Sequence, residues 1–133
     1  MKHRFVLTAL LISVFWLATG CAGHVVRTHE GVSRDTTWIQ FTEKGSPFVV
    51  NRLVGGEHIS RYRLLGFEGE RYRITGRGED LYMDIFPGNG ADTYGTDSDD
   101  TFEVEVIGLD ALISVELSAH PVSEYQLRIE KIK

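Results

Sequence analysis

The sequence predicts an all-β protein: a single jelly-roll-like β-sandwich of about eight antiparallel strands. Three observations carry that prediction. From Asp35 onward, apolar residues recur in short runs with a period near two. No segment there sustains a helical period, and turn-forming residues separate the runs. Alternation with one polar face means that each sheet buries one side only, so two sheets must close over each other. At 133 residues, 42% of them apolar, the chain can fill one core and not two.

The runs follow in order. Trp38, Ile39 and Phe41 open the first. Phe48, Val49, Val50 and Leu53 make the second, with Pro47 at its start, where the missing N–H is tolerated. In residues 59–65, Tyr62 and Leu64 share one face while Arg61 and Arg63 share the other. Residues 67–70 are expected to turn tightly, and Arg71, Tyr72, Arg73, Ile74 and Thr75 to return as the second arm of a hairpin with an arginine-lined outer face. Leu81, Met83 and Ile85 then alternate with Tyr82, Asp84 and Phe86. Phe102, Val104 and Val106 are expected inward in the next run, Ile113, Val115 and Leu117 in the one after it, and Tyr125, Leu127 and Ile129 in the last. The domain is expected over residues 35–133.

Composition excludes several functions. Lys plus Arg number 14 against 19 Asp plus Glu, a formal net charge of −5, which argues against nucleic-acid binding, where a cationic surplus must replace counterions. One cysteine excludes a disulfide framework and any multi-cysteine zinc site. The chain has no Gly-x-Ser-x-Gly elbow, no His-Glu-x-x-His and no phosphate-cradling glycine loop, so a binding protein is expected, without cofactor. Asp80 and Asp84 fall on one strand face, but an acidic β protein has several such pairs; His58 and His120 sit at strand margins, where exposed histidines are usual. Residues 87–95 come near a calcium-binding β-helix nonapeptide, yet one copy cannot build a site made between successive copies. No metal site is assigned. Asp97, Asp99 and Asp100 are the candidates for clamping Ca²⁺ in a loop looser than an EF-hand, against a plain solvated acidic turn. Arg61, Arg63, Arg71, Arg73 and Arg77 read either as a solvated face of cross-strand charge pairs or as an anion-reading face of guanidinium forks.

The N-terminus carries an address. Lys2, His3 and Arg4 precede an apolar stretch from Phe5 to Ala18, shorter than the roughly 20 residues a membrane span needs and matching a secretory h-region. It ends in Leu17-Ala18-Thr19-Gly20-Cys21, which resembles the lipobox of bacterial lipoproteins. The resemblance implies a signal peptide over 1–20, acylation of Cys21, and a lipidated N-terminus and tether over 21–34. Three acyl chains at about 0.8 kcal/mol per buried CH₂ would anchor it permanently. Ala22, in place of an inner-membrane aspartate, implies the outer membrane as partner and location. In the tether, His24, His29 and Glu30 read as solvated side chains because no second ligand pair is suitably spaced. Loss of Lys2 and Arg4 leaves 12 basic against 19 acidic side chains, a net charge of −7.

The second half resembles two related families. Asp80-Leu-Tyr82-Met-Asp-Ile-Phe-Pro87-Gly88 is similar to the strand and turn of bacterial pre-peptidase C-terminal domains, as are the 62–74 segment and Glu124-Tyr125-Gln-Leu-Arg-Ile129. The same three elements occur in the periplasmic inhibitors of g-type lysozyme, small secreted β-sandwiches. That resemblance implies an outer-membrane lipoprotein that occludes the glycan cleft of a host lysozyme, with Arg77, Asp80 and Tyr82 as the partner-binding residues and the turn at 88–94 beside them. The alternative is a non-inhibitory envelope module that binds peptidoglycan, another glycan or a protein. Burial of Tyr82 in the core would speak against its role as a contact.

Overall fold

The computed structural model describes residues 33–41 and 45–133; Cys21, the leader and most of the tether lie outside them. The described residues form nine strands: β1 Ser33–Trp38, β2 Phe48–Gly55, β3 His58–Phe67, β4 Arg71–Gly78, β5 Leu81–Phe86, β6 Ala91–Gly95, β7 Thr101–Val106, β8 Asp110–Ala119 and β9 Val122–Lys131. They build a four-stranded sheet in the order β1-β3-β8-β5 and a five-stranded sheet in the order β2-β9-β4-β7-β6. The all-β sandwich expected from the alternation is therefore present.

Its details depart from expectation in three ways. First, β6 adds a strand; only Ala91 of its five residues is buried, so it carries no apolar period to reveal it. Second, β1 begins at Ser33, two residues before the expected boundary, and runs parallel to β3. A parallel pair forms because the chain passes through β2, in the opposite sheet, before it returns as β3. Third, β3 and β4 are not a hairpin. β3 pairs with β1 and β8, whereas β4 pairs with β7 and β9, so the turn between them is a corner joining the two sheets.

Glu70 holds that corner. Its carboxylate accepts hydrogen bonds from the Phe67 N–H at 2.9 Å, from the Tyr72 hydroxyl at 2.5 Å and from Lys131 Nζ. Burial opposes its ionisation, but these three donors outweigh burial and hold its pKa below the ordinary value of 4.5. Gly69, at φ +80°, supplies the left-handed residue that the corner needs.

The core lies between the sheets. Tyr62, Leu64, Ile113, Val115 and Leu117 from the four-stranded sheet meet Tyr72, Ile74, Val104, Leu127 and Ile129 from the other, all at most 2% exposed. Each such side chain contributes about 1.5–3 kcal/mol by burial. Among the described residues, the buried apolar side chains form one cluster that runs from Ile39 to Ile129.

Strand pairing defines two ends. The start of β1 lies level with the start of β3, the end of β8 and the start of β5. The turns at 56–57, 79–80, 96–100 and 120–121 share this end, which is where the tether enters. The turns at 68–70, 87–90 and 107–109 occupy the far end, where Gly90 O accepts from the Ile107 and Gly108 N–H groups at 2.8 and 2.9 Å.

Candidate functional site

Arg77, Asp80 and Tyr82 all lie on the corner that carries the chain from β4 to β5 at the tether end. Two glycines make this corner tight. A Cβ on Gly78 would sit 2.8 Å from the Glu124 carbonyl oxygen and from Ser123 Oγ, and one on Gly76 would sit 2.7 Å from Met83 Sδ of the facing sheet. These glycines thus serve close packing of strand on strand. Asp80 follows at φ 52°, the sole non-glycine in the left-handed region among the described residues. Aspartate tolerates that conformation better than most residues.

From this corner the three side chains fan outward. Arg77 points from the outer face of the five-stranded sheet, 71% exposed, and its Nε donates to Asp100 Oδ2 at 3.2 Å. Asp80 stands exposed at the rim. Tyr82 points from the outer face of the four-stranded sheet opposite Ser118 and is 65% exposed, so it is not a core aromatic. The corner thus presents a guanidinium, a carboxylate and a phenol in sequence around one edge.

The other half of the expected patch is elsewhere. The turn at 87–90 belongs to the far end, where Gly88 packs against the Leu112 carbonyl and Gly90 against that of Asp110. What stands beside Arg77 is the loop at 96–100: the Gly76 N–H donates to Asp100 O at 3.0 Å, and Asp100 also accepts from Ser98 Oγ and, at 2.9 Å, from Thr101 Oγ1. The hydrogen bonds from Ser98 and Thr101 outweigh burial and, with a smaller contribution from Arg77, hold the Asp100 carboxyl below its ordinary 3.8.

The calcium candidate gains no support from this arrangement. Asp100 bonds within its own loop and to Arg77, and no group of three metal-ligating side chains gathers among the described residues. Sequence reading had treated the aspartates as one cluster; the Ser98-x-Asp100-Thr101 spacing, which favours local side-chain hydrogen bonds, was the available sign that one of them is spoken for.

The five arginines do not share a face either. Arg61 and Arg63 lie on the four-stranded sheet and Arg71, Arg73 and Arg77 on the five-stranded one. Arg61 pairs with Glu116 (2.6 Å from Nε), Arg71 with Glu105 (2.8 Å) and Arg73 with Glu103 (2.9 Å). Most of the cluster is therefore a set of cross-strand charge pairs and not an anion-reading face. Sequence reading missed a second surface, the outer face of the four-stranded sheet, which exposes Trp38, Leu65, Phe86 and Leu112. The signal was there in the consecutive apolar residues Leu64-Leu65 and Ala111-Leu112-Ile113, which break the alternation.

No protein-family model matches the sequence, and no curated protein does. Solved structures do match. The periplasmic inhibitor of g-type lysozyme from Aeromonas hydrophila superposes with a TM-score of 0.59 at 10% identity, over 74% of this chain and 97% of the inhibitor. A mutant of the Escherichia coli inhibitor gives a TM-score of 0.43 at 12% identity, over 75% of this chain and 99% of that one. The chain therefore has the fold of the Aeromonas inhibitor.

Proposed function

We propose that this protein is a lipid-anchored envelope binding protein, and not an enzyme, that inhibits a g-type-like lysozyme by placing the β4–β5 corner in its glycan cleft. The observation that carries this reading is the shared fold, which extends over 97% of the Aeromonas hydrophila inhibitor of g-type lysozyme. The corner suits the task. A glycan cleft offers a catalytic carboxyl group and donors for sugar hydroxyls. Arg77 would pair with such a carboxylate, and Asp80 and Tyr82 would satisfy the sugar-binding groups around it. Glu57, Glu79, Asp80, Asp97 and Asp99 stand exposed at the same end and would speed encounter with a basic partner. The tether over residues 21–32 reaches at most roughly 40 Å, which sets how far this end can rise from the membrane.

The test is a cell-wall lysis assay with the chain from residue 22 onward added to goose-type, chicken-type and invertebrate-type lysozymes. Inhibition of the goose-type enzyme is expected, with Arg77→Ala and Tyr82→Ala each weakening binding by about 1–3 kcal/mol. Chitooligosaccharide should compete. Inhibition that survives Arg77→Ala/Asp80→Ala in a folded protein would move the site elsewhere, and no inhibition of any lysozyme would leave a non-inhibitory envelope module.

A further inference from the structure

Both outer faces carry cross-strand ion pairs, Arg71–Glu105 and Arg73–Glu103 on the five-stranded sheet and Arg61–Glu116 on the four-stranded one. They differ in where exposed apolar residues lie: on the five-stranded sheet Val49 and Leu53 stand on the edge strand β2 and Tyr94 on the opposite edge strand β6. On the four-stranded sheet the register sets Trp38, Arg63, Ser114 and Phe86 side by side across β1, β3, β8 and β5. Two residues toward the far end stand Leu65 and Leu112; two residues toward the tether end stand Thr36, Arg61, Glu116 and Asp84. Trp38 is 60% exposed, Phe86 51% and Leu65 50%. One such residue alone is unremarkable on a surface, but several on adjoining levels of one sheet make a patch that marks an interface. Arg63 lies over the Trp38 ring, 5.9 Å from its centroid, and its Nε is buried without a hydrogen-bond partner among the described residues.

We propose that this face docks a second copy of the chain, about a two-fold axis that lies in the interface and runs along the strands. Charge is the first argument. The cations Arg34, Arg61 and Arg63 all stand on β1 and β3, and the carboxylates Asp84, Asp110 and Glu116 all stand on β5 and β8. An axis along the strands reverses the strand order and keeps each residue at its level. Trp38 then meets Phe86 of the second copy, Leu65 meets Leu112, and the Arg61–Glu116 pair of one copy lies against the Glu116–Arg61 pair of the other. The basic half of each face covers the acidic half of the other. An axis across the strands would instead lay arginine strand on arginine strand.

The second argument is where the chain outside the described residues ends. It enters at Ser33, at one end of β1. An axis along the strands brings both tethers to the same end, as two chains anchored in one membrane require, whereas the other axis sends them to opposite ends. This argument rests on the lipid-anchored reading above; the charge argument does not. The contact centres on the levels of Trp38 and Leu65; Tyr82, four residues and about 13 Å from Phe86 along β5, lies at its margin on the level of Arg34, and Arg77 stands on the outer face of the other sheet, clear of it.

The test uses the chain from residue 21 with Cys21→Ser, without lipid, so that its outcome is independent of anchoring. Trp16 lies in the leader, which leaves Trp38 as the single tryptophan. Sedimentation equilibrium from micromolar to submillimolar concentration should show a monomer–dimer equilibrium, with Trp38 emission moving to the blue as dimer forms. Leu65→Glu and Leu112→Glu, at exposed positions, should each weaken the dimer by about tenfold or more with an unchanged circular dichroism spectrum. When Trp38→Cys chains are mixed with Phe86→Cys chains, the mixed disulfide should form in preference to either like pair. A monomer at every concentration would overturn the proposal. So would cross-linking of like with like, or an emission shift that appears only on addition of phosphatidylethanolamine vesicles or lysozyme.

Discussion

Among the described residues, one side-chain hydrogen bond spans the core between the two sheets, and its removal has a calculable signature. Tyr62 on β3 and Tyr125 on β9 are 1% and 3% exposed, and their hydroxyl oxygens stand 2.6 Å apart. Each hydroxyl is the other's partner across the sandwich. Tyr125→Phe leaves the Tyr62 hydroxyl buried without that partner, and such an orphan costs about 1–3 kcal/mol. Tyr62→Phe orphans Tyr125 instead, which is slightly the more exposed of the two at 3% and lines a surface groove with Asn51, Arg52 and Glu124, so the smaller cost is expected there. We therefore expect about 2 kcal/mol for Tyr125→Phe and about 1 kcal/mol for Tyr62→Phe. With both hydroxyls gone nothing polar is orphaned, and the double variant should lose only about 1 kcal/mol, a coupling of about −2 kcal/mol. Urea unfolding followed by circular dichroism gives all three values, with an unchanged m-value as the control for two-state behaviour. Additive single effects would refute the reasoning, because they would mean that each hydroxyl is satisfied independently of the other.

Three further outcomes are expected. Leu117→Ala or Ile113→Ala, each at a fully buried position, should destabilise the fold by about 2–5 kcal/mol in the same assay. Stability should fall at both pH extremes. Burial, then the bond to Tyr125 in one case and to Glu70 in the other, raises the Tyr62 and Tyr72 hydroxyls above their ordinary 10.0, so stability is full below about pH 10 and declines as pH rises beyond it. Glu70 and Asp100 are held below 4.5 and 3.8, so their contribution is present above those values and is lost as pH falls through the lowered folded-state pKa; Glu70→Gln should flatten the acid limb of a thermal-melting series. Finally, an alkyne fatty acid fed to cells should label the wild type and not Cys21→Ser; equal labelling would refute the anchor.

Much of the fold was legible because a period of two says which face a residue occupies, and faces are what a sandwich needs. Val104, Val106, Ile113, Val115, Leu117, Leu127 and Ile129 are all buried where alternation puts them, and Phe102 at the strand's start is half-buried. Alternation does not say which strand lies alongside or in which direction. The segments 59–65 and 71–75 look like two arms of a hairpin for that reason, although Glu70 and Gly69 direct the chain across the sandwich into the other sheet. Partners distant in sequence were illegible for the same cause: nothing local says that Arg77 meets Asp100 or that Arg61 meets Glu116. The docking face is the instructive case. Leu65 and Leu112 are apolar at positions where the period demands polarity, and each alone reads as noise. The register makes them direct partners, and sets Phe86 and Trp38 on the next level. A departure from pattern that recurs at paired positions on neighbouring strands costs solubility without helping the core. That is the physical reason to expect something to cover it.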